Sequence, residues 1–212
     1  MQKTEKLILA SKSPRRQELL GMICRQFTVI TADVDEDRIC DGFLDRRDTF
    51  ADYDSLAAEM VKSLADAKAT AVATAVAPLA DRVILAADTI VVLDEEVLGK
   101  PRDRDEAKEM LYRLSGREHR VFTGVHILAQ DRSESFHAEA KVRFYPPDDF
   151  TRKCIDFYAA GGSSLDKAGA YGIQDEGAFF VQSIDGDFFT VMGLPVAETA
   201  RRLYSYLPDL FF

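Results

Sequence analysis

Asp88 interrupts the otherwise apolar run Val83 to Leu93, VILAADTIVVL. A carboxylate buried in such a strand without a partner costs several kcal/mol, so one kept there calls for a cation, a metal or a catalytic duty. The alternative is a residue at a strand end that caps a turn. Lys100, in Gly99-Lys100-Pro101, follows a hairpin's length later, and a turn within residues 92–97 would return it toward the same sheet edge. Glu36 is one acid among many, and Lys68 on an alanine-rich segment reads by itself as a surface lysine.

A second group is Ser11-Lys12-Ser13-Pro14-Arg15-Arg16, set between a predicted strand and a helix start. Free N–H groups and the dipole at a helix N-terminus favour an anion, and two arginines there add bidentate phosphate donors. The same residues also read as a capped helix with solvated arginines. A third group, Asp166 to Gln174 (DKAGAYGIQ), combines two glycines, which let a ligand approach the backbone, with Lys167, Tyr171 and Gln174. It equally reads as an irregular loop between packed elements. His119, His126 and His137 lack metal-ligand spacing and are assigned structural roles.

These residues need a scaffold. Residues 6–11, 27–32, 83–93, 119–129, 136–144 and 178–184 read as strands, the third as a central one. A helix is expected after Ser13 as N-cap and Pro14 at the first helical position, with Gly21 as its stop. Further helices are expected at about 55–76, 103–114, 148–158 and 195–207; Asp103 and Glu106 supply a D-x-x-E start and Ser115-Gly116 a stop. Asp33 to Asp54 holds nine acids and three arginines, and reads mostly as an exposed loop; from about residue 38 to 58 it is expected to be a mobile surface excursion apart from any polyphosphate site. Helices and strands mix without strict alternation, which predicts an α/β fold with a mixed, twisted sheet.

With 212 residues, 47% of them hydrophobic and 30% charged, the chain can bury one substantial core. A net charge of −9 argues against a nucleic acid polymer or an anionic membrane as partner, while leaving room for a locally basic pocket. Three cysteines, Cys24, Cys40 and Cys154, form no C-x-x-C pair, which favours a reducing, cytoplasmic compartment over a disulfide framework or zinc site. The first residues have too short an apolar run for a signal peptide, and no stretch is long enough for a membrane span.

Taken together the segments resemble the Maf family of nucleotide pyrophosphatases. The matching segments, in the family's order, are LILASKSPRRQELL (7–20), VDE (34–36), LADAKA (64–69), AADTIVVLDEEVLGKPRDRDEAKEMLYRLSG (86–116), HRVFTGV (119–125), KVRF (141–144), DKAGAYGIQ (166–174) and GLPVAET (193–199). They cover residues 1–212 as a single domain, apart from an apparent acidic insertion at about 38–58. The resemblance implies an inosine triphosphate pyrophosphatase-like fold of two lobes around a cleft on a mixed sheet flanked by helices. It implies homodimers, hydrolysis of a nucleoside triphosphate between the α- and β-phosphates, and dependence on a divalent cation, Mg²⁺ or Mn²⁺. The family's catalytic aspartate falls on Asp88, its phosphate-side cations on Arg15 or Arg16, Lys68 and Lys100, and its V-D-E acid, a metal ligand, on Glu36. Substrate-binding positions fall on Ser11, Arg15, Arg16, Thr89, Lys167 and Gln174. The form DKAGAYGIQ resembles the branch that cleaves dTTP and UTP. Three positions depart from the usual pattern: Asp175 and Glu95 where glycine is common, and Thr190 where asparagine is.

The implied set makes chemical sense. Splitting a triphosphate requires neutralised charge and an oriented water. Carboxylates supply hard oxygen ligands and a base, while lysines and arginines neutralise the phosphates. A glutamine amide offers one donor and one acceptor, matching O4 and N3–H of uracil or thymine. Two other functions use the same residues: a broader pyrophosphatase acting on purine or modified nucleotides, and a nucleotide-binding regulator of septum formation.

Overall fold

The computed structural model describes residues 6–211. It contains seven strands in one sheet of order β2-β1-β3-β5-β6-β7, with β4 added on β3. Strand β1 (Leu7–Leu9) runs parallel to β2 (Thr28–Val29) and to β3 (Val83–Leu93), placing Ile8 opposite Thr28 and Ile84. Strand β4 (Glu96–Leu98) is antiparallel to β3. Strand β7 (Val181–Gly186) is antiparallel to β6 (Ser133–Phe144), while β5 (Glu118–Leu128) lies between β3 and β6. The sheet is mixed, as expected from the irregular order of elements.

The chain divides into two compact units. The first comprises residues 1–88, 123–138 and 193–212; the second, 89–122 and 139–192. Strands β3, β5 and β6 contribute residues to both.

In the first unit, α1 (Pro14–Ile23) packs with α7 (Val196–Tyr206), and α2 (Glu36–Leu44) with α3 (Tyr53–Val76). Its core joins Ile8, Ala10, Ile84 and Ala86 of the sheet to Ala69 and Val72 of α3. The helix and strand approach closely at Gly124, where a Cβ would strike the Val61 carbonyl, so the alanine-rich composition of α3 serves contact rather than propensity alone.

The second unit is built on α4 (Arg104–Leu114) against α5 (Asp149–Gly161). Asp103 caps α4 by accepting the Glu106 N–H at 2.9 Å, and Asp148 caps α5 by accepting from Thr151 at 2.8 Å. A short α6 (Phe188–Met192) follows β7. The expected hairpin after β3 turns at Asp94-Glu95, both with positive φ (50° and 60°).

Two expectations are corrected. Gly21 does not stop α1, which runs to Ile23 and ends where Cys24 turns extended. The acidic segment is largely exposed, as expected, but much of it is helix rather than loop. Asp35 caps α2 by accepting the Arg38 N–H at 3.0 Å, Phe43 is buried, and Phe43 and Phe50 rings lie 5.9 Å apart. Acids in its first turn suit the helix dipole, and the helix sets an apolar face on α3. Residues 53–58 are the first turns of α3 and include the buried Tyr53, Leu56, Ala57 and Ala58.

Candidate active site

Asp88 lies at the middle of β3, not at a strand end, and is 8% exposed. A carboxylate so placed requires a cation. Lys68, on α3, donates to Asp88 Oδ1 at 2.8 Å and lies 2.9 Å from Glu36 Oε1. One ammonium therefore bridges two carboxylates that are 52 residues apart in sequence. Glu36 reaches this point because it opens α2, in the turn capped by Asp35.

Arg16 also approaches Asp88. Its Nη2 lies 3.8 Å from Asp88 Oδ1, and its Nε donates to the Gly193 carbonyl at 2.8 Å. Burial draws the guanidinium pKa below its ordinary value, an effect that the Asp88 carboxylate opposes and neighbouring Arg15 reinforces. The turn leading into α1 is preorganised by Ser11, whose hydroxyl accepts the Ser13 N–H at 3.2 Å, and by Ser13, which accepts the Arg16 N–H at 3.5 Å. Arg16 at this helix start thus has a reason: it faces a buried carboxylate.

Among the described residues no group of three or more His, Cys, Asp or Glu side chains is arranged to hold a metal alone. The donor set nevertheless fits Mg²⁺ or Mn²⁺. Glu36 and Asp88 present hard oxygens around a shared positive charge, and such ions commonly bind through one or two carboxylates with phosphate oxygens completing the shell.

In the second unit, Lys100 is exposed just beyond β4. The Gly99 carbonyl accepts the Gly169 N–H at 3.1 Å, tying this segment to the 166–174 loop. That loop is a run of short 3-10 turns (Ser163–Asp166 and Ala168–Ala170), with Tyr171 and Ile173 buried and Gln174 exposed. His119 holds it from below: its Nε2 and the Tyr171 hydroxyl are hydrogen-bonded at 2.8 Å, and Phe144 packs edge-on against both rings. Burial lowers the His119 pKa to about 3, so the imidazole is neutral. Thr89 is half-buried on β3, the residue after Asp88.

A family model described as "Maf-like protein" matches residues 6–206. The chain belongs to this family. Relatives named dTTP/UTP pyrophosphatase are similar along almost its whole length. One from Bacillus cereus (strain B4264) is 43% identical over 205 residues, 97% of each chain. Another from Bacillus cereus (strain G9842) is 42% identical over 206 residues, covering 97% of this chain and 98% of its own. A third, from Bacillus anthracis, is 42% identical over 97% of each chain.

Sequence reasoning about this Maf-like chain missed three features near the site residues. Cys40, one turn after Glu36 on α2, has its thiol pushed up to about 11 by burial and by the carboxylates of Asp88 and Glu36. The spacing of Glu36 and Cys40 on one helix face was the available signal. The Gly193 carbonyl that holds Arg16 had no local signal at all, being 177 residues away. Asp175 was noted only as a departure, although its carboxylate is bonded by Tyr158 at 2.9 Å and by the Gly177 N–H at 3.0 Å.

Proposed function

We propose that this chain is a metal-dependent nucleoside triphosphate pyrophosphatase that hydrolyses dTTP and UTP to the monophosphate and pyrophosphate. The observation that carries the reading is the coverage: relatives bearing that activity in their names align along 97% of the chain, through every segment that contributes a site residue. The Glu36–Lys68–Asp88 array supports it from the side of chemistry.

Asp88 orients a water toward the α-phosphorus and accepts its proton as the new O–P bond forms. The bond from the α-phosphorus to the bridging oxygen breaks, and pyrophosphate leaves with that oxygen. Lys68, Lys100 and Arg15 or Arg16 neutralise the phosphate charge that builds up on the leaving group. Mg²⁺ or Mn²⁺, held by Glu36 and Asp88, would supply further positive charge at the phosphates when bound. Gln174 reads the O4/N3–H edge of the base, with Ser11 and Thr89 as further substrate contacts. A homodimer in the cytoplasm belongs to the same proposal and rests on the family resemblance and the cysteine usage.

A panel of dTTP, UTP, CTP, ATP, GTP and modified nucleotides, assayed for pyrophosphate with Mg²⁺ and with Mn²⁺, tests the reading. Preferred cleavage of dTTP and UTP is expected. Equal cleavage of purines would point to a broad-range pyrophosphatase, and binding without turnover to a regulator.

A further inference from the structure

Lys167 is 7% exposed, although it belongs to a loop with an exposed glutamine. Its ammonium donates to Asp166 Oδ1 at 2.8 Å and to the Ser163 carbonyl, and lies 3.4 Å from Asp175 Oδ2. An ammonium has three donors, and three acceptors of its own loop surround it. Its stem runs beneath Gly172, where a Cβ would lie 2.6 Å from Lys167 Cε and 2.7 Å from Asp175 Oδ2. The other carboxylate oxygen, Asp175 Oδ1, accepts from the Tyr158 hydroxyl and from the Gly177 N–H. Tyr158 in turn accepts the Gly172 N–H at 3.0 Å.

Gln174 thus sits between two anchors. Ile173 on one side is 6% exposed, and Asp175 on the other is bonded from α5, from the following turn and from Lys167. We propose that Asp175 is a positioning residue for base selection, with Lys167 as its buried counter-charge rather than a ligand of the phosphates. The carboxylate fixes the backbone on both sides of Gln174, so that the amide meets the base edge without the cost of ordering the loop on binding. A glycine at 175 would keep the turn but supply neither oxygen. This rests on the proposed reading of Gln174 as the base-selecting residue.

The test uses Asp175→Asn and Asp175→Gly, Lys167→Met, and the double variant Asp175→Asn with Lys167→Met. Each is assayed for kcat/KM on UTP and GTP, and for hydrogen exchange at amides 172–177 without nucleotide. Each single variant is expected to lower the UTP-over-GTP ratio by about tenfold, leave the GTP rate within about twofold, and speed exchange at these amides. The double variant should lose little more than either single one, because both break the same contact. If Lys167→Met slows UTP and GTP in parallel and adds fully to Asp175→Asn, Lys167 binds phosphate and the inference is overturned. Unchanged selectivity and unchanged exchange in Asp175→Asn overturn it equally. A wild-type enzyme with no pyrimidine preference would instead refute the functional reading, and the exchange data would then decide the strut separately. Should Asp175→Gly fail to fold, the near-isosteric Asp175→Asn carries the comparison.

Discussion

Asp88 and Lys68 show how one residue's placement constrains its chemistry. A buried carboxylate bonded at 2.8 Å to an ammonium has its counter-charge from the chain itself, without a metal. Asp88→Asn is expected to keep the circular dichroism of the wild type and to lose roughly 10²–10⁴-fold in kcat, the usual worth of a general base. Activity within a few-fold of wild type would remove Asp88 from the mechanism. His119 permits a prediction on pH. Its pKa is about 3 in the folded chain and ordinarily near 6.5, so between these values the unfolded chain binds the extra proton. Stability therefore rises with pH across that window and is lost as pH falls through it, by on the order of 4 kcal/mol from this group. His119→Gln does not titrate, and denaturant midpoints measured at pH 7 and pH 4 should differ less for it than for wild type. An equal acid loss in both proteins would place the effect elsewhere.

At the scale of elements, what was legible followed local rules. The run VILAADTIVVL is long, apolar and β-branched, and β3 spans Val83–Leu93 as read; Asp103 and Asp148 mark the starts of α4 and α5. The acidic segment was misread because its charge outweighed its pattern. Ile39, Cys40 and Phe43 recur at helical spacing behind the cap Asp35, the signature of an amphipathic helix whose outer face happens to be acidic. Gly21 was given a stop it does not impose, since no atom lies within 4 Å of its Cβ position and its helix simply continues. The turns of residues 163–180 have no periodic signal, because they are held by side chains of the preceding α5 and by His119 and Gly99, the last two distant in sequence. The β3–β4 hairpin adds a stability prediction. Asp tolerates the left-handed conformation required at 94, but Glu95 at φ 60° does not do so readily. Glu95→Gly should raise stability by about 0.5–1 kcal/mol, or roughly 1–4 °C in Tm for a chain of this size. A lower Tm would mean that the Glu95 side chain contributes more than its backbone costs.

For the molecule as a whole, the acidic balance of −9 does not conflict with an anionic substrate, because the cations that matter are gathered around a few positions. No helix among the described residues is long and apolar enough to cross a membrane, and Cys24, Cys40 and Cys154 are free thiols. The fold thus rests on its packed cores rather than on cross-links, which bears on the role a proposed metal would have. Structural metal sites contribute folding free energy outright, and their removal unfolds the protein. Here Lys68 and Arg16 already balance the charges of Glu36 and Asp88, and the elements that carry the two acids are fixed by packing: α2 on α3, and β3 within the sheet. Chelation by EDTA is therefore expected to abolish turnover while shifting Tm by no more than about 2–3 °C, the effect of less than 1 kcal/mol in a chain this long. Adding Mg²⁺ or Mn²⁺ should restore activity. Metal and a non-hydrolysable dTTP analogue together should raise stability by about 2.7 kcal/mol at a hundredfold excess over Kd, whereas metal alone should do far less. The reason is that two carboxylates alone would leave the shell of such an ion incomplete, and phosphate oxygens of the nucleotide would fill it. A collapse of Tm on chelation would make the metal structural and require ligands other than Glu36 and Asp88. Full activity in EDTA would leave catalysis to Asp88 and the cations alone.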